Sequence, residues 1–239
     1  MLRVVVVCKH RSGRAGWGRR GSRRRSSAPA TAAYSKAMTS TGLEWRHYGP
    51  SPLPPVLASA LDRFAEQGYH GTSTRELAAG AGLSVPGLYH HYRSKQDILM
   101  ALMVAVMEEL LARTEAALAS AGDSPVERFD ALVESMLRFH MFRQREAFVA
   151  SSEIRSLEPA NRKRYVALRD RQQRMIDEVV VAGARDGYFA TPYPADAARG
   201  IATLCIGVAS WFRMDGPLSV DQVLERQLVL ARDLVAARS

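Results

Sequence analysis

Cysteine is nearly absent from this chain. Two residues among 239, Cys8 and Cys205, leave no basis for a disulfide framework. They stand far apart, form no Cys-x-x-Cys pair and match no Cys/His spacing that suits zinc, so neither a redox couple nor a metal site is expected. Such usage fits a reducing cytoplasm. Long apolar runs are missing too. The stretch VVVVC near the start is too short for a signal-peptide core, and no uncharged apolar stretch reaches a membrane-spanning length of about 18 residues. No membrane partner is expected. Strand-like alternation and internal repeats are lacking. So are the Gly-rich phosphate loop, Gly-x-Ser-x-Gly and His-Glu-x-x-His. Glu108, Glu109 and Glu153 have no partner pattern for acid–base work. An enzyme is therefore not expected, nor a cofactor.

Acidic residues are scarce in one place. Residues 1–50 carry eleven Lys/Arg against a single acid, Glu44, while the other 189 residues are close to neutral. The formal charge of +9 thus belongs to the first segment and says little about the rest. That segment, with RSGRAGWGRRGSRRRSSAPA, has neither a helical nor a strand period. Two readings stand: a basic arm for DNA phosphates, or a disordered extension, with Met38 as an alternative start because organised sequence follows it. The expected division is residues 1–50 as this extension, 51–97 as one small domain and 98–239 as a larger one.

What is present reads almost wholly as helix. Hydrophobic residues make up 47% of the chain, enough for a packed core. After Pro50, Pro52, Pro54 and Pro55, apolar residues recur at three and four through Val56, Leu57, Ala60, Leu61 and Phe64, up to a stop at Gly68. Thr72, Ser73 and Thr74 offer caps for TRELAAGA, which Gly82 ends. Ser84 caps VPGLYHHY, with Pro86 in its first turn. Ser94 caps a long helix from Lys95 to about Ala119. Further helices are expected from Ser124-Pro125, over 146–156, from Pro159 to near Gly187, over 195–214 and over 219–237. The total is about nine, an all-α fold with an N-terminal three-helix part and a C-terminal helical domain for ligand binding and dimerisation.

The strongest local pattern is TSTRELAAGAGLSVPGLYHHYRSKQDIL, residues 72–99. Two short helices meet at the turn Ala81-Gly82-Leu83. Leu77, Ala78, Leu83, Val85, Leu88 and Tyr92 are spaced to close a small core, which needs Leu61 and Phe64 behind it because helices this short are unstable alone. Left outside are Thr74, Arg75, Ser84, Gly87, Tyr89, His90, Arg93 and Lys95, a set rich in donors for phosphate oxygens and base acceptors. His90 and His91 are adjacent, about 100° apart on a helix, and cannot chelate one ion.

Residues 68–99 resemble the DNA-binding domain of TetR-family regulators: a Gly-aromatic pair, a Thr-rich cap, a Gly turn, then Leu-Tyr-x-His-aromatic leading to Lys. The likeness extends over about 45 residues with the preceding helix. It implies a helix-turn-helix whose recognition helix begins with Val85, Pro86 and Gly87 in the major groove of double-stranded DNA. Tyr89 and His90 would lie along the DNA backbone, Lys95 and the helix start at Thr74 would meet phosphates, and Arg75 would reach a guanine. Val85 and Gly87 are poor donors, so thymine-methyl contact and DNA shape would carry part of the specificity. The resemblance further implies a homodimer on a pseudo-palindromic operator and a small-molecule effector that releases it.

For the dimer, the last two helices carry more apolar surface than one face needs, with Val208, Trp211, Phe212, Leu224 and Leu228 as the expected isologous interface; the alternative is monomer core. For the ligand, residues 137–159 mix aromatics with polar groups, and Phe139, His140, Phe142, Arg143, Phe148, Ser152 and Arg155 are expected to line a pocket. SSEIRSLEPANR is similar to actinobacterial TetR-type regulators of lipid, fatty-acid and sterol breakdown, which implies an acyl-CoA or related acid, with Arg143, Arg145, Arg155 and Arg162 suited to CoA phosphates. A constitutive or architectural DNA-binding protein without an effector is the alternative. A sizeable cavity within residues 100–215 separates the two.

Overall fold

The computed structural model describes residues 43–237. Their chain forms nine α-helices: α1 (Pro55–Gly71), α2 (Thr74–Gly80), α3 (Val85–His91), α4 (Lys95–Ser120), α5 (Pro125–Phe142), α6 (Gln144–Ser152), α7 (Pro159–Arg185), α8 (Pro194–Trp211) and α9 (Val220–Leu234). One 3-10 turn, Glu153–Ser156, follows α6. Among the described residues the only β pairing is an isolated antiparallel bridge between Phe189 and Ala237. The all-α expectation holds. The helix expected over 146–156 is instead α6 plus the 3-10 turn. α1 breaks at Gly68 (φ +73) and winds one more turn to Gly71.

Capping explains the short N-terminal helices. Ser73 and Glu76 bond reciprocally across the first turn of α2, Ser84 Oγ accepts from the Gly87 N–H, and Ser94 Oγ accepts from the Asp97 N–H. Between α2 and α3 the chain turns at Gly82 with φ +67, a left-handed conformation that glycine adopts without strain. Phe64, Leu77 and Leu88 are fully buried and bind the three helices together, with Tyr92 also inside.

Helix α4 carries this head into the larger domain. It has no single apolar stripe because α1, α5, α6 and α7 pack around it. Helix α5 touches α4, α7, α8 and α9, and so forms the centre of the bundle. Cys205 is wholly buried in α8, where desolvation pushes its thiol up to about 12.

Residues 43–50 are ordered, which corrects the expectation of a disordered extension running to residue 50. Trp45 is buried, and its indole N–H donates to Ser120 Oγ at 2.9 Å. Arg46 pairs with both oxygens of Glu134. Tyr48 stacks on Phe142 at 4.7 Å and lies beneath the Arg113 guanidinium. Arg113 donates to the Trp45 and His47 carbonyls, and Arg143 to that of Gly49. The segment is a strap along α4 and α5, from the far end of α4 to the start of α1. Two buried arginines hold it, themselves balanced by Glu109. The basic arm of residues 1–42 lies outside the described residues.

Candidate nucleic-acid interface and ligand chamber

The surface of α2 and α3 follows from their burial. Leu77, Ala78 and Leu88 turn inward, which leaves Arg75, Ser84, Pro86, Tyr89 and His90 exposed and Thr74, Val85 and Gly87 half-buried on the opposite side. Tyr89 is 46% exposed, a large ring left partly open to solvent. Arg75, Tyr89 and His90 are thus brought to one end of the molecule.

Lys95 is differently placed from a free phosphate ligand. Its ammonium donates to the carbonyls of Tyr69 and Thr72, each at 2.8 Å, and sits 4.3 Å from the centre of the Tyr69 ring. Partial burial lowers its pKa. Two of its three protons therefore tie the start of α4 to the end of α1, and one remains for a phosphate.

Beside it, Gln96 forms a junction that sequence reasoning missed. Its amide N–H groups donate to the Tyr69 hydroxyl (3.2 Å) and the Ser156 carbonyl (2.9 Å). Its amide oxygen accepts from the Glu158 backbone N–H (3.1 Å) and Asn161 (3.4 Å). One buried glutamine so links α1, the 3-10 turn and the start of α7. A buried amide of this kind has no sequence signature, since only the fold reveals its partners.

Helices α4 to α8 line a half-open chamber of about 310 Å³. Its walls are mostly apolar: Val106, Met107 and Leu110 from α4, Met136 and Phe139 from α5, Ala150 from α6, Ile176 from α7 and Ala202 from α8. Tyr165, His140 and Gln172 add polar atoms inside, and the exposed Arg169 and Arg199 stand on the rim. His140 Nδ1 lies 2.7 Å from the Met136 carbonyl, and full burial pushes its pKa down to about 4. The imidazole is neutral.

Of the seven residues expected to line a pocket, Phe139 and His140 do so. Phe142 covers the strap, Arg143 is buried against Glu109, and Phe148 is 54% exposed. Arg155 is exposed on the 3-10 turn. Ser152 is half-buried, its Oγ without a partner among the described residues, and lies outside the chamber wall. The reason is geometric: α6 presents only Ala147, Ala150 and Ser151 to the chamber, and the residues of α7 and α8 that complete it lie too far along the chain for a local pattern to mark them. The arginine cluster dissolves likewise, because Arg143 is internal and Arg145 pairs with Asp62 and Glu66.

The expected dimer residues divide in two. Val208, Phe212 and Leu224 are buried within the monomer, where the inner stripes of α8 and α9 pack on α5. Leu228 is half-buried, and Trp211 is 48% exposed. On the same two helices as Trp211, Ile206, Val229, Leu230 and Leu234 are also exposed. No group of acids, histidines or cysteines that could hold a metal occurs among the described residues, and no helix there is long and apolar enough to cross a membrane.

Comparison with known proteins fits this geometry. Residues 56–102 match the family described as bacterial regulatory proteins, tetR family, and residues 122–235 match the tetracyclin repressor-like C-terminal domain. The HTH-type transcriptional repressor KstR2 of Mycobacterium tuberculosis H37Rv is 30% identical over 177 residues, 73% of this chain and 88% of that protein. A tetR-family regulatory protein from Rhodococcus RHA1 has a similar structure, with TM-score 0.72 and 27% identity over 77% of this chain and 97% of that one. AibR, solved in complex with isovaleryl coenzyme A and operator DNA, shares the fold at TM-score 0.68 and 23% identity, over 77% and 97% of the two chains. A DNA-reading head joined through α4 to a hollow helical bundle, matched in both halves, makes this chain a member of the TetR family of DNA-binding transcriptional regulators.

Proposed function

We propose that the protein is a cytoplasmic, homodimeric repressor that leaves its operator when an amphiphilic ligand enters the chamber between α4 and α8. It binds and releases; it catalyses nothing. One observation carries this reading: α7, which supplies Tyr165, Arg169, Gln172 and Ile176 to the chamber, is bonded at its start to Gln96, in the first turn of the helix that holds the DNA-reading head. A ligand that displaces α7 therefore acts on the head through defined bonds. The hollow interior favours an effector-controlled regulator over a constitutive DNA-binding protein.

The ligand is an acyl-CoA or a related acid of modest size. An apolar interior suits the acyl part, while Arg169 and Arg199 at the rim suit phosphates or a carboxylate. The relatives support this class, since AibR holds isovaleryl coenzyme A. On the DNA side, α3 enters the major groove, Tyr89 and His90 flank it, and Arg75 reaches a base or phosphate. Two copies join through the outer apolar surface of α8 and α9, which sets their recognition helices about one helical turn apart or a multiple of it.

The test is a titration of the operator-bound full chain with short acyl-CoAs, read by fluorescence anisotropy of labelled operator. A preference of about 3 kcal/mol for the released state gives a drop in affinity of roughly a hundredfold. If no acyl-CoA changes the anisotropy, the ligand class is wrong.

A further inference from the structure

The chamber's hydroxyl groups share one property. Tyr165 donates its hydroxyl proton to the Ala150 carbonyl at 3.1 Å, Ser151 to Phe148 at 3.0 Å and Thr203 to Arg199 at 2.9 Å. Each keeps only lone pairs for a visitor. The Met136 carbonyl can only accept, so the His140 nitrogen facing it, Nδ1, must carry the ring's single proton. The other nitrogen, Nε2, is then a bare acceptor with no partner among the described residues. Burial keeps the ring in this neutral state at working pH.

Gln172 differs, because its amide carries two N–H donors as well as an oxygen. Thr114 sends its hydroxyl proton to Leu110 at 2.9 Å, so the group facing it at 3.4 Å must be the amide N–H of Gln172. The amide oxygen is left buried without a partner among the described residues. His140 and Gln172 are each only 5% exposed, so bulk water does not satisfy them. The rim differs: Arg169 and Arg199 are donors only.

We propose that His140 Nε2, a bare acceptor in the chamber wall, selects a ligand whose apolar part bears a hydroxyl that donates to it. This rests on the chamber being the effector site and states what the effector carries. A ligand ketone placed against Nε2 meets a lone pair and no proton. A plain hydrocarbon leaves that acceptor unpaired. A hydroxyl satisfies it and loses none of its own bonding. Carbonyl and phosphate groups of the same ligand belong at the arginine rim.

Three probes of nearly equal size, cyclohexanol, cyclohexanone and methylcyclohexane, separate these cases in the full chain by ligand-observed NMR. The alcohol is expected to bind about tenfold more tightly than the ketone, the gain of one well-made hydrogen bond to a buried acceptor. His140→Phe is expected to erase that preference and favour methylcyclohexane. Equal binding of all three overturns the hydroxyl rule and leaves the chamber a ligand site. Binding of none overturns both. Should His140→Phe not fold, imidazole ¹⁵N resonances of the unmodified protein decide. A protonated Nδ1, with Nε2 unprotonated and shifted by cyclohexanol but not cyclohexanone, supports the proposal. A protonated Nε2 refutes it.

Discussion

His140 stands in α5 with no charge beside it, held neutral by burial at a pKa of about 4 against the ordinary 6.5. The unfolded chain takes up a proton as pH falls through 6.5, whereas the folded chain refuses it until about 4. Its contribution to stability is therefore complete above pH 6.5 and is lost as the pH falls toward 4, by about 3 kcal/mol in all. Urea unfolding at pH 7 and pH 4.5 should show this loss in the unmodified protein and a smaller one in His140→Phe. Other residues act without titrating. Tyr89→Ala should weaken operator binding about tenfold with little change in melting temperature, because the ring stands largely outside the core. Lys95→Met should lower both, since it removes two bonds from α4 to the end of α1 as well as the proposed phosphate contact, and the stability part should be about 1–3 kcal/mol. Equal melting temperatures for Lys95→Met and the unmodified protein would show that the clamp does not matter.

Helices were legible in the sequence wherever a cap or a period announced them. Ser73, Ser84 and Ser94 begin α2, α3 and α4 where local chemistry places them, and Gly82 makes the turn. Placement around the chamber was not legible, because pocket walls are assembled from α4, α5, α6, α7 and α8, and no local window contains that arrangement. The strap escaped for a related reason. Leu43 to Pro50 has no period, and its order comes from Arg113, Glu134, Phe142 and Arg143, at least 63 positions further along the chain. Trp45→Ala should cost about 3 kcal/mol by calorimetry, as large-to-small changes in a core do. Gln96→Leu belongs to the same scale. It severs α7 from α1 without entering the chamber or the DNA surface, so operator and ligand should each still bind, while ligand-driven release shrinks several-fold. Undiminished release from that variant would place the coupling elsewhere, the Arg145 contacts with Asp62 and Glu66 being next in line.

At the scale of the whole molecule, the surface proposed for the dimer is the outer side of α8 and α9. Replacing Leu230 with Asp puts a charge among Trp211, Leu234 and their neighbours, and touches neither the chamber nor the head. Sedimentation should then report a monomer of about half the mass, with operator affinity reduced at least a hundredfold, because a single head reads only half a site. A dimer that persists would move the interface to another face. The order of residues 43–50 bears on how such a dimer can move. The head is fastened to the bundle along several lines: the unbroken helix α4, the packing of α1 against α6 with Arg145 on Asp62 and Glu66, the Gln96 junction, and the strap that runs from Ser120 back to α1. A body held along several separate lines cannot wag freely in every direction. Ligand-induced motion of each head would thereby be narrowed, which is what two heads need if they are to widen or close their spacing in concert.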